Sequence, residues 1–252
     1  VTGAANGVGL AIGRQFAQQG ANVVFADMDE KQLCHEMGEM ADKEENVRIF
    51  AGDLRKKLTI ANLLSATIDA FERVDILINA SRQVMTTDPL DPDDNSVEEL
   101  LQQNTLTAMR MSQAVARRMI KQAGDNPSGS IGSIVNISSI AACRAHPDLL
   151  AYSVSSAASD QMTRSLAVAL APHGIRVNAV AFGSVMSASL KGALQHLPAG
   201  SKAVMILLAD LPELTAVVKR RAAGDCGAQQ NRSGQKNSPA GGNSKMVDRI
   251  LF

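Results

Sequence analysis

Short apolar runs rich in β-branched residues alternate along most of this chain with longer amphipathic stretches, and the alternation predicts strands and helices in turn. Residues 21–27, 46–50, 74–80, 133–137 and 175–181 read as strands. Helical spacing marks residues 10–19, 30–45, 58–71 and 97–121, and a stretch from Tyr152 to Pro172 or His173. Gly20 and Gly174 stand where helices commonly stop. Ser96 and Glu99 have the spacing of a capping box at the head of the 97–121 helix. The chain's 252 residues suit one α/β domain with a sizeable core.

Composition narrows the function classes. Apolar residues make up 45% and charged residues 20%, the balance of a soluble globular protein. The formal net charge is zero, which gives no pull toward nucleic acid or an anionic membrane. No apolar run approaches the roughly 20 residues of a membrane span, and no secretory signal opens the chain. Cys34, Cys143 and Cys226 are far apart, so reduced thiols in a cytoplasmic protein are expected. His35, His146, His173 and His196 form no metal-ligand spacing, so no metal is expected.

Three stretches carry candidate chemistry. Thr2-Gly3-Ala4-Ala5-Asn6-Gly7-Val8-Gly9 precedes the first helix. Its glycines let backbone approach a pyrophosphate, and the helix behind offers free N–H groups and a positive dipole end. Asp27 closes the next strand, about 20 residues on, where a carboxylate accepts from ribose hydroxyls; capping the following helix is its plainer role. The third stretch joins Ser139, at a strand end, to Tyr152, the only tyrosine, and to Ser156, one helical turn later on the same face.

This set resembles the short-chain dehydrogenases/reductases of the single-domain type, whose pattern is Thr-Gly-x-x-x-Gly-x-Gly, then Ser, then Tyr-x-x-x-Lys. Ser156 occupies the position where the family has its lysine. The resemblance covers about residues 1–194 and implies a doubly wound, mainly parallel Rossmann-like sheet with helices on both faces, in strand order 3-2-1-4-5-6. Of the family's first, central strand, only Val1 and Thr2 are present. It further implies hydride transfer between a nicotinamide cofactor and an alcohol or ketone. Tyr152 would exchange the proton, Ser139 would bind the substrate oxygen, and Asn104 would bend its helix and hold a relay water; a plain surface role for Asn104 also fits. Cofactor contacts fall on Gly3, Asn6, Gly7, Val8, Gly9, Asp27, Asp53, Leu54, Asn79, Tyr152, Gly183, Val185 and Ser187. Asp27 favours NAD over NADP, because a carboxylate repels a 2′-phosphate and no Arg or Lys lies in the turn or directly after Asp27.

Where the family ends its fourth strand Asn-Asn-Ala-Gly, this chain reads Asn79-Ala80-Ser81-Arg82. A free phenol titrates near 10, so a nearby cation is needed to make it a base at neutral pH. Ser156 carries none, and impaired turnover is expected. Two functions stay open: a working NAD-dependent oxidoreductase, and an inactive nucleotide-binding relative acting as sensor or oligomer subunit. Small residues on the helices at 97–121 and 152–172 imply a homodimer or homotetramer, as in the family. Beyond about residue 195 the resemblance ends. Residues 195–252 read as a divergent region with one helix to about Ala223 and a disordered stretch at 225–246. Together with the short first strand, this reads as a truncated and C-terminally altered chain.

Overall fold

A computed structural model of the chain describes residues 1–125 and 129–183. Its elements follow the predicted order. Helix α1 (Gly7–Gln18) leads to β1 (Val23–Asp27), α2 (Glu30–Lys43), β2 (Val47–Ala51), α3 (Lys57–Phe71) and β3 (Ile76–Asn79). Then come α4 (Ser96–Leu100), a π-helical turn (Leu101–Leu106), α5 (Thr107–Ala123), β4 (Gly132–Ser139), α6 (Leu150–Leu170) and β5 (Ile175–Phe182). Short 3₁₀ turns at Ile140–Ala142, Pro147–Leu149 and Ala171–His173 flank α6.

All strand pairs are parallel: β1 with β2, β3 with β4, and β4 with β5. Thr2 joins the two groups by bridging Ala26 on one side and Asn79 on the other. The order across the sheet is therefore β2, β1, Thr2, β3, β4, β5, which is the expected 3-2-1-4-5-6 order with Thr2 in the central place. The segment around Thr2 is well bonded. The Thr2 N–H donates to Ile78 O at 3.0 Å, the Ala26 N–H to Val1 O at 2.9 Å and the Ala4 N–H to Ala26 O at 3.2 Å. Beside it a cavity of about 320 Å³ opens among residues such as Val1, Val24, Leu63, Ile76, Ile78 and Val115.

Alternation along β1 sends side chains to both faces. Val23 and Phe25 pack with Leu10, Ala17, Leu33 and Met37 of α1 and α2. Val24 and Ala26 face the other layer, where Ile60, Leu63, Met111, Val115 and Met119 of α3 and α5 meet Leu77, Ile134 and Val177. Leu166 and Leu170 of α6 join that second layer. Because every strand is parallel, Asp27, Ala51, Asn79, Ser139 and Phe182 all end at one edge of the sheet, and the loops that follow gather there.

The expected capping box is absent. Ser96 is buried and its hydroxyl is hydrogen-bonded to Thr87 Oγ1 at 2.9 Å, while Asn95 precedes the helix and its side-chain amide donates to Glu99 at 3.0 Å. A buried partner outbids the local cap. The helix expected at 97–121 begins at Ser96, and its second turn is π-helical.

Candidate active site

The first wall of the site is the turn before α1. Gly3 has φ +66°, and a Cβ there would lie 2.6 Å from Ala80 O; at Gly9 it would lie 2.2 Å from Gly3 O. Both backbones are packed too closely for a side chain. Asn6 precedes α1 without a side-chain cap, so the first N–H groups of a 12-residue helix keep their capacity to donate. Asp27 ends β1 beside this turn. Its Oδ2 accepts from the Ala5 N–H at 3.0 Å and its Oδ1 from the Asp29 N–H at 3.1 Å. Thr2 Oγ1 accepts from the Ala80 and Ser81 N–H groups at 3.2 and 3.3 Å, tying the turn to the loop after β3.

Three of the expected contact residues have side-chain partners within the protein. Asp53 forms a two-pronged pair with Arg55, at 2.9 and 3.0 Å, which holds its carboxyl below the usual carboxylate range. Leu54 is buried in the core. Asn79 also faces inward. Its amide donates to Ser112 Oγ at 3.0 Å and Asn136 Oδ1 at 2.8 Å, and Asn136 donates on to Thr163 Oγ1 at 2.8 Å. This buried chain of hydrogen bonds links α5, β3, β4 and α6. Gly183 is exposed just past β5. Val185, Ser187, the expected boundary at 194 and the disordered stretch at 225–246 lie outside the described residues.

The second wall is built by β4 and α6. Ser139 ends β4, is buried, and its Oγ accepts from the Ala141 N–H at 3.1 Å, which turns the chain into the loop. His146 caps the next short turn through Asp148 N–H at 3.3 Å, and Arg144 is exposed. Helix α6 begins two residues before Tyr152. Thr87 anchors that start, its N–H donating to Asp148 O at 3.0 Å and its hydroxyl accepting from Ala151 N–H at 3.1 Å. Tyr152 is half-buried in the first turn, and its hydroxyl makes no hydrogen bond among the described residues.

The inner face of α6 is a run of buried hydroxyls, Ser155, Ser156, Ser159 and Thr163, with Asp160 held by the Ser138 hydroxyl. It packs on the π-helical turn that carries Asn104. The Asn104 side chain clamps the loop after β3: its Oδ1 accepts from Gln83 N–H at 2.8 Å, and its Nδ2 donates to Gln83 O at 2.9 Å and Ser155 Oγ at 3.2 Å. Asn104 lies in the π-helical turn, and its side chain serves as a loop clamp. Arg82, on that same loop, reaches across. It donates to Ile137 O at 2.8 Å and to Ser156 Oγ at 2.6 Å, with its guanidinium 5.1 Å from the centre of the Tyr152 ring.

The family model for short chain dehydrogenases matches residues 1–197. The chain belongs to that family. Among its relatives, galactitol 2-dehydrogenase of Agrobacterium fabrum is 32% identical over 186 residues, covering 73% of this chain and 69% of that one. An uncharacterized oxidoreductase of Staphylococcus epidermidis is 27% identical over 192 residues, covering 76% and 79%. The crystal structure of a short-chain dehydrogenase/reductase of unknown function from Caenorhabditis elegans, with cofactor, superposes with a TM-score of 0.67 at 28% identity, covering 81% of this chain and 74% of that one.

A short-chain dehydrogenase is an oxidoreductase that works with a nicotinamide cofactor, NAD or NADP, on small-molecule substrates. The residues present fit that cofactor. The turn at Gly3 to Gly9 is a cradle that a Cβ would fill, and the uncapped start of α1 suits its phosphates. No helix among the described residues is long and apolar enough to cross a membrane, and among them no group of His, Cys, Asp and Glu is arranged to hold a metal. Sequence reasoning missed Arg82, Thr87 and Ser155. A signal existed for Arg82 alone: it stands at the family's glycine position in a chain whose lysine position holds Ser156.

Proposed function

We propose that this short-chain dehydrogenase transfers hydride between NAD(H) and the carbon of a small alcohol or ketone. The observation that carries the reading is the placement of Tyr152 in the first turn of α6, joined through Arg82 to Ile137 of β4, two residues before Ser139, at the sheet edge that also carries the glycine cradle. When bound, a nicotinamide cofactor would supply the hydride acceptor or donor. The chain's own residues do the rest. Tyr152 exchanges the proton with the substrate oxygen, and Ser139 donates a hydrogen bond to that oxygen, which orients the carbon for transfer. The α1 N-terminus and its glycines hold the phosphates, and Asp27 accepts from the adenosine ribose hydroxyls. Because the Asp27 carboxylate is held beside the turn by the Ala5 N–H, a 2′-phosphate brought there meets a like charge. This supports NAD over NADP.

Galactitol and galactose dehydrogenases stand among the relatives, so polyols and sugars head the substrate panel. Purified protein is assayed for NAD-linked oxidation of polyols, sugars and simple secondary alcohols, beside Tyr152→Phe. Turnover with at least one class, lost in the variant, supports the reading; none with any class, with NAD or NADP, refutes it. That negative result, with intact NAD binding, is the outcome expected of the alternative, an inactive nucleotide-binding relative, which the uncharged Ser156 favours.

A homo-oligomer is part of the same proposal. Ala114 and Ala116 of α5 pack in the core, while on α6 the small Ala157 is exposed together with Val154 and Val168. An isologous contact would cover that face. A monomer in light scattering at micromolar concentration contradicts it.

A further inference from the structure

Ser156 is fully buried, yet it is not an isolated hydroxyl. It donates to Tyr152 O at 2.7 Å, the ordinary back-bond of a helical serine, which leaves its oxygen free to accept. Arg82 Nη2 fills that acceptor at 2.6 Å. Arg82 Nη1 is fixed separately by Ile137 O at 2.8 Å. Two bonds to two elements, β4 and α6, lock the plane of the guanidinium. Its carbon then lies 5.1 Å from the centre of the Tyr152 ring, within cation–π range. Among the described residues no other cation is stacked on Tyr152.

The third donor face of Arg82 is unused. Its Nε is buried and has no hydrogen-bond partner among the described residues. A buried guanidinium N–H without an acceptor is costly, and an oxygen arriving with a ligand would relieve that cost. The two departures from the family pattern also complement each other. A small hydroxyl stands at 156 and a long cation at 82, and the cation bonds that hydroxyl.

We propose that Arg82 supplies, from the loop after β3, the fixed positive charge that position 156 lacks, positioning Tyr152 through its ring face and offering Nε–H to an oxygen of the bound cofactor. This rests on the reading of Tyr152 as the proton-exchanging group. The substitution changes the chemistry in one respect. A guanidinium does not release its proton in proteins, so Arg82 acts as a standing charge and bond donor and takes no part in relaying protons. Turnover is then not crippled by Ser156, contrary to what its lack of charge implies by itself.

The test compares the parent with Arg82→Met, Arg82→Lys, Ser156→Lys and the double variant Arg82→Met/Ser156→Lys. One readout is independent of activity. Tyr152 is the only tyrosine and the chain has no tryptophan, so the near-UV tyrosine band of the circular dichroism spectrum reports this ring alone. Calorimetry of NADH binding is the second readout, and kcat and KM on the best substrate are the third. Arg82→Met is expected to change the tyrosine band, to weaken NADH binding about tenfold by loss of a charge-assisted bond, and to lower kcat about a hundredfold. KM for the alcohol should change far less. Arg82→Lys retains charge without the fork and should fall between, and the double variant should recover most of the lost kcat. Should Arg82→Met fail to fold, Arg82→Gln, which removes the charge and the fork but keeps a polar amide, carries the same comparison.

An Arg82→Met protein with unchanged tyrosine band, NADH affinity and kcat overturns the proposal. So does a large gain in kcat from Ser156→Lys with Arg82 in place. If the parent itself gives no turnover, the function proposed above fails, and the tyrosine band and NADH affinity still decide the role of Arg82.

Discussion

Asp27 Oδ2 accepts a hydrogen bond from the Ala5 N–H at 3.0 Å, across 22 residues of sequence, so the carboxylate that ends β1 is held against the glycine turn. Its other oxygen bonds Asp29 N–H at 3.1 Å, which fixes the rotamer. NAD should therefore bind more tightly than NADP. In Asp27→Ala the preference should shrink by about tenfold, the worth of one charge-assisted bond. Calorimetric titration of both cofactors checks this; equal affinities in the parent contradict it.

Gly9 gives a sharper steric prediction. A Cβ at this position would sit 2.2 Å from Gly3 O, a backbone atom that cannot swing aside. Gly9→Ala should push α1 off the turn and, if the proposed phosphate site is that backbone, cost NAD affinity at least about tenfold. Gly38→Ala on α2, where a Cβ meets nothing within 4 Å, should bind NAD like the parent.

Asn136 tests the buried polar bridge. It accepts from Asn79 and donates to Thr163, both at 2.8 Å, and is itself 2% exposed. Asn136→Ala leaves buried groups short of partners and should cost about 2–3 kcal/mol in urea unfolding. Asn62→Ala, at an exposed position on α3, should change stability by no more than about 0.5 kcal/mol.

The fold was largely legible because its signals are local. Five strands and the helices between them stand within a few residues of their predicted bounds, since apolar runs and glycine stops act over short stretches of chain. The positions of the glycine turn, Asp27, Ser139 and Tyr152 in the fold could be read for the same reason. What could not be read depended on partners far away in sequence. Ser96 and Glu99 looked like a cap until Thr87, nine residues back, took the hydroxyl. The inward packing of the Leu54 and Asn79 side chains likewise depends on distant partners. Arg82 is the clearest case. Position 156, read alone, shows a missing charge, and only the fold shows that the loop after β3 brings one 74 residues along the chain to the same spot.

The central claim is that Tyr152 exchanges the proton during nicotinamide-linked hydride transfer. Single-turnover kinetics of the parent and Tyr152→Phe, on the best substrate of the panel and with NAD saturating, test it most directly. The account predicts a loss of about a thousandfold in the transfer rate, with NAD affinity and melting temperature nearly unchanged. A phenylalanine variant that transfers hydride at a rate close to the parent's would contradict it.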